Sequence, residues 1–159
     1  VARVKLKFTY PILTLITYVF GLGVATFLWY STLSVKVVGC LTGGCSAVLT
    51  SSFAKIFGVP ISAYGFAFYA VGIIIILFRI IDDRPVIRLT SWAMSVVGVL
   101  SSVYFFYLEL FKIHAICFWC KFSTAATIIL LTLMILEVKK RGGISAIYDD
   151  IKSLYKKEV

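Results

Sequence analysis

Charge is what this 159-residue sequence has least of. Only 14% of its residues are charged while 61% are hydrophobic, and acidic residues number 7 against 16 Lys and Arg. A soluble globular domain is about a quarter charged and about half apolar. The excess apolar surface therefore calls for lipid rather than for a larger core. There is a single His. With one His and no short second C-x-x-C, the ligand pattern of a zinc site is missing, and no metal is expected. No segment repeats and none is of low complexity, which removes repeat architectures. The net charge of +9 does not mark a nucleic-acid binder. The basic residues sit at the chain ends and in short gaps between apolar runs, as membrane topology signals do.

What is present is four long apolar runs. Phe8 to Val35, Ile56 to Phe78 and Leu89 to Leu108 contain no charge, and Ile113 to Leu136 contains only Lys121 and His114. About 20 apolar residues, rising about 1.5 Å each, cross about 30 Å of hydrocarbon. The sequence predicts helices near 9–33, 60–81, 87–110 and 115–137, with Pro11 and Pro60 in first turns, where a missing N–H is harmless. The expected fold is all-α: an integral membrane bundle of four transmembrane helices over 1–138, with an outward loop at 34–58 carrying a short extracytoplasmic capping helix. The first run is too long for a signal-peptide core and no clear cleavage site follows it, so it reads as a retained helix. Ser91, Ser95, Gly98 and Ser102 form a small-residue stripe that lets a neighbouring helix come close.

The basic residues give direction. Arg3, Lys5, Lys7, Arg79, Arg84, Arg88, Lys139, Lys140, Arg141, Lys152, Lys156 and Lys157 fall on one side, 12 of the 16. The positive-inside rule places both termini in the cytoplasm of a multi-pass plasma-membrane protein. Trp29, Tyr30, Trp92 and Trp119 fall at helix ends and read as interfacial anchors. The tail 139–159 is basic, and Ile144, Ile147, Ile151, Leu154 and Tyr155 recur in it at helical spacing. It reads as an amphipathic segment on the membrane surface, with a disordered tail as the alternative.

The four cysteines then face outward as two pairs, in a compartment that permits disulfides. Four cysteines allow three connectivities, and spacing does not choose among them. Cys117-Phe118-Trp119-Cys120 opens the fourth helix, where the helix N-terminus favours a thiolate. Taking Glu137 as the inner end of that helix, Cys120 lies 17 residues earlier, about 25 Å along the axis. That depth suits a lipid-soluble electron acceptor. Cys40 and Cys45 bracket a loop containing Gly43 and Gly44, followed by a short helix expected over Ser46 to Phe57 with Ser46 or Cys45 near its N-cap. A cysteine on a Gly-rich loop can meet a soluble protein above and Cys117 below, as relayed thiol–disulfide exchange requires. Glu109, the acidic residue near the outer face, reads as an interfacial anchor, with proton acceptance as the alternative. His114 reads as an interfacial His, with tuning of Cys117 as the alternative.

With loop cysteines first and C-x-x-C last, the chain resembles the vitamin K epoxide reductase family in its small prokaryotic form, over about residues 10–137. In the DsbB family the C-x-x-C belongs to the first outward loop instead. Further matches are Cys45-Ser46-x-Val48 with Ser51, then Gly58-Val59-Pro60-x-Ser62-x-Tyr64-Gly65, then Ser102-x-Tyr104. The resemblance implies that Cys120 faces a quinone of ubiquinone or menaquinone type and that Cys117 exchanges with Cys40. It places Ser51 by the quinone and makes Tyr64, Phe68 and Phe105 the matching pocket aromatics. Vertebrate members carry Asn where Ile61 stands and Tyr where Thr124 stands, which argues against epoxide reduction here. Many bacterial members carry a fused thioredoxin-like domain. None follows in this sequence, so the expected partner is a separate extracytoplasmic thioredoxin-like protein. The expected function is a membrane thiol:quinone oxidoreductase that supports disulfide formation in exported proteins. The alternatives are quinone or quinone-epoxide reduction as the main role, and a membrane scaffold with two structural disulfides.

Overall fold

The computed structural model describes residues 2–34 and 44–155, leaving aside the side chains of 2–8, 34, 46, 50 and 53. Its long helices are α1 (Ala2–Ser34), α3 (Ile61–Ile81), α4 (Pro85–Leu108) and α5 (Phe118–Arg141). Each holds a stretch long and apolar enough to cross a membrane, so the fold is the expected all-α bundle of four spans. Between α1 and α3 come the short helix α2 (Gly44–Thr50), a 3-10 turn (Ser52–Ala54) and a minimal hairpin of β1 (Lys55–Ile56) and β2 (Val59–Pro60). The amphipathic helix α6 (Ile144–Tyr155) ends the described chain.

Several boundaries differ from the sequence reading, each for a local reason. Pro11 lies inside α1, because that helix begins at Ala2. The helix expected over Ser46 to Phe57 stops at Thr50, and Lys55–Pro60 pair as a hairpin instead. Its two-residue tip, Phe57-Gly58, has both φ values positive, at 52° and 81°. Those are the dihedrals that match the twist of a two-residue turn. The last span begins at Phe118 rather than near 115, because His114 is left-handed (φ 54°) and Cys117 extended. It also runs past Glu137 to Arg141.

Glycines and aromatics interlock to bring the helices together. The Tyr69 ring of α3 sits on Gly21 of α1, and the Tyr18 ring of α1 sits on Gly72 of α3. A Cβ at either glycine would collide with the ring. Tyr18, Ala25, Tyr69, Ile76 and Leu130 form the buried core there. Gly98 of α4 receives the Phe68 ring and the Thr127 methyl, and Ser102 hydrogen-bonds Thr127 at 2.9 Å. The small-residue stripe thus faces both α3 and α5. Buried hydroxyls return to their own helix, Thr14 to the Tyr10 carbonyl (2.8 Å) and Ser91 to that of Ile87 (2.8 Å). Hydrocarbon offers no other partner.

Ion pairs close the end of the bundle opposite the cysteines. Arg79 is buried and pairs with buried Glu137, which also accepts from Arg141 at 3.0 Å. Glu137 is therefore an internal counter-ion rather than the end of its helix. Asp83 accepts from Arg141 (3.1 Å) and lies 3.4 Å from Arg88, which in turn holds Asp150 of α6. The apolar stripe of α6 divides: Ile147 and Leu154 are half-buried, while Ile144, Ile151 and Tyr155 are exposed.

Candidate active site

Backbone geometry brings the cysteine-bearing segments together. Gly44 opens α2 directly against the Ile116 backbone carbonyl, where any Cβ would collide. This approach buries Cys45 and Cys117 completely, in one cluster with Val24 and Leu28. Val48, Leu49, Trp119 and Cys120 pack around it. Cys45 is in a disulfide, while Cys117 and Cys120 are thiols. Cys40 lies outside the described residues.

Cys117 is the N-cap of α5, with φ −89° and ψ 113°. Its Sγ makes no formal capping bond, yet the N–H groups of Cys120 and Trp119 face it. A hydrogen bond from the Cys120 thiol holds the Cys117 thiol below its ordinary pKa, against burial, which pushes it up. The helix N-terminus acts in the same direction as the hydrogen bond.

Cys120 faces the other way. It lines a cavity of about 360 Å³ bounded by α1, α3, α4 and α5 and roofed by α2 and the hairpin. Ser51, Tyr64, Phe68 and Phe105, the pocket residues drawn from the sequence, all lie on its wall, as do Ile61 and Thr124. The volume falls within the range of small-molecule sites. Ser51 Oγ already donates to the Val48 carbonyl at 2.8 Å, so it meets a ligand first as an acceptor. Tyr64 donates to the Ile56 carbonyl at 3.2 Å and ties the hairpin to α3. Thr124 donates to the Cys120 carbonyl at 3.1 Å.

Two further wall residues were named in the sequence but not assigned to the pocket. Ser62 Oγ is buried without a hydrogen-bond partner among the described residues. Its place in Pro60-x-Ser62 was a signal, but nothing in the spacing marks its hydroxyl as unspent. Glu109 is buried beside the cavity, where Lys121 donates to its Oε2 at 2.7 Å. Among the described residues no three His, Cys, Asp or Glu side chains converge as a metal site.

Comparison with known proteins fits this geometry. The pattern of the vitamin K epoxide reductase family matches residues 12–135. The chain belongs to the vitamin K epoxide reductase family. The match includes both cysteine-bearing segments, the two middle spans and most of the first and last. No match was found among curated proteins. Members of the vitamin K epoxide reductase family are membrane oxidoreductases, thiol-dependent reducers of quinones or their epoxides. They generally use a quinone and work with a thioredoxin-like partner.

Proposed function

We propose that this protein is a thiol:quinone oxidoreductase that reoxidises a separate thioredoxin-like protein outside the cytoplasm and so sustains disulfide formation in exported proteins. One observation carries the reading: the two cysteines of Cys117–Cys120 face different surroundings. Cys117 packs with Cys45, and Cys120 opens onto the cavity.

A dithiol partner attacks Cys40 of a Cys40–Cys45 disulfide and leaves Cys45 as the thiolate. Cys45 attacks Cys117, the Cys117–Cys120 bond breaks, and Cys120 takes the electron pair. The family resemblance had implied Cys40 as the attacker of Cys117; burial of Cys45 against Cys117 favours Cys45. The partner's second thiol attacks the partner–Cys40 bond and leaves as the partner's disulfide. Freed Cys40 attacks Cys45, re-forms the loop disulfide and releases Cys117, so that Cys117 and Cys120 are left as thiols. A disulfide-bonded Cys45 beside the free thiols of Cys117 and Cys120 supports this order. A quinone in the cavity accepts the two electrons and leaves as quinol. Phe68 and Phe105 pack its ring, and Ser51 and Ser62 lie near enough to meet its oxygens. Cytoplasmic termini, from the positive-inside rule, put the cysteine end outside.

The test is anaerobic addition of a short-chain quinone to the reduced protein, followed by thiol counting. Two thiols should disappear per quinone, and none in Cys120→Ser. Retained quinone reduction in Cys120→Ser would overturn the assignment. In Cys40→Ser with Cys120→Ser, a Cys45–Cys117 bridge should be trapped by mass spectrometry. A trapped Cys40–Cys117 bridge in Cys45→Ser with Cys120→Ser, and none in the first pair, would reverse the loop roles.

A further inference from the structure

On the thiol:quinone reading just given, two thiols must lose protons while a quinone gains two. Among the described residues, one acidic side chain borders the cavity where this happens. Glu109 is only 4% exposed. Its position is built by the backbone: α4 closes in a π-helical turn, Glu109–Ile113, that ends in left-handed His114. The N–H groups of His114 and Ala115 both donate to the Glu109 carbonyl, the latter at 3.2 Å. Such widened turns recur at functional sites. Lys121, the residue after Cys120, donates to Glu109 Oε2 at 2.7 Å while its ammonium lies 4.0 Å from the centre of the Phe106 ring. The Glu109 carboxylate is also near enough to Cys120 to interact with its thiol.

Burying a carboxylate is a poor device for stability even with a cation beside it, since an apolar side chain of the same size serves as well. An anchoring role therefore leaves the choice of a carboxylate here unexplained. A proton acceptor beside a thiol that must ionise, and a donor beside a quinone oxygen, require that group in that place.

We propose that Glu109 is a catalytic proton carrier between Cys120 and the quinone. The S–H bond of Cys120 breaks and its proton passes to the Glu109 carboxylate. The Cys117–Cys120 disulfide forms, and its two electrons reduce the quinone. Glu109 gives its proton to one quinone oxygen, and the other oxygen receives the equivalent of the Cys117 proton. Lys121, donating to Glu109 Oε2, holds the carboxylate beside the cavity for both transfers.

The experiment uses the full chain in detergent with a short-chain benzoquinone under anaerobic conditions. Glu109→Gln keeps the size of the side chain and an oxygen for Lys121, but cannot carry a proton. Its thiol oxidation should slow about 100-fold or more, while quinone binding to the oxidised protein and the unfolding temperature stay near wild type. In wild type, solvent deuterium should slow the same step, a readout that needs no variant. Wild-type turnover with Glu109→Gln within threefold of it, an equal loss of quinone binding, or the absence of a deuterium effect would each overturn the inference and leave the thiol:quinone reading intact. No thiol loss in wild type would overturn that reading itself.

Discussion

The backbone of Gly44 rests against the carbonyl of Ile116, one residue before Cys117, and this single approach sets Cys45 beside its neighbour across the fold. No other described glycine has a neighbouring backbone atom in the place of its missing Cβ.

Gly44→Ala should push α2 away from Ile116. Overpacking of this kind costs about 1–3 kcal/mol, and misplacing a reacting group by about 1 Å can cost about 100-fold in rate. Oxidation of a dithiol partner should fall towards that extent. Quinone reduction by pre-reduced Cys117 and Cys120 should fall far less. Stopped-flow measurement of the two half-reactions separates them, and equal loss in both would show that Gly44 serves the bundle as a whole.

The Cys117 thiol should titrate below the ordinary cysteine value of about 8.5, because the Cys120 thiol donates to it. Cys120→Ala removes that donor and should move the titration upward. Ultraviolet thiolate absorbance against pH checks this in the presence of an intact loop disulfide. An unmoved titration would mean that the Cys120 thiol is not what lowers Cys117.

Ser62 and Ser51 should contribute differently to quinone affinity. Ser62 Oγ has no partner among the described residues, so a quinone oxygen satisfies it at no expense to another bond. Ser51 must release the Val48 carbonyl before it can donate. A neutral hydrogen bond is worth about 0.5–1.5 kcal/mol. Ser62→Ala should therefore weaken equilibrium quinone binding by up to about tenfold, and Ser51→Ala by less. The reverse ranking would place the quinone oxygen under the α2 roof.

A plain quinone should be reduced far faster than the matching epoxide. Opening an epoxide needs a donor placed at its oxygen as the C–O bond breaks, and the two positions that carry Asn and Tyr in vertebrate members offer here Ile61 and a Thr124 hydroxyl already given to the Cys120 carbonyl. A missing donor to a developing charge typically costs about 100- to 1,000-fold. Comparable rates with one dithiol donor would show that Glu109 or a serine fills the role.

Acid should loosen the charged end of the bundle at a defined pH. Burial raises the pKa of Asp83, but Arg141 and Arg88 outweigh it, so its folded value lies below the ordinary one. A depressed carboxylate pKa stabilises fully above the unfolded value of about 3.9 and is lost as pH falls through the folded value. Asp83→Asn should lower the unfolding temperature near neutrality. The gap from wild type should close only below about pH 4. A gap that closes at higher pH would implicate another group.

The spans were legible because lipid demands long uncharged runs, and little else in 159 residues competes with that signal. The order of the cysteines was enough to suggest the family. What the sequence did not disclose depends on single backbone angles and distant partners. Phe57 has a positive φ despite its side chain, so the hairpin replaced the second half of a helix. His114 has one too, which delayed α5 to Phe118. Glu137 read as a surface marker because its partner Arg79 lies 58 residues away in the chain. Glu109 read as an anchor because nothing local reveals that α4 widens at that turn.

That widened turn also fixes a phase. An α-helix advances about 100° per residue, and a π-turn absorbs one extra residue without advancing the side chains beyond it in step. Deleting one residue between Leu110 and Ile113 would let α4 close as an ordinary helix. The connection to Cys117 would then start from a different compass bearing, even with every cysteine and every cavity side chain still present. The site is thus specified by a count as much as by a composition, and a shortened relative would need a compensating residue before α5 to keep both thiols aimed as they are.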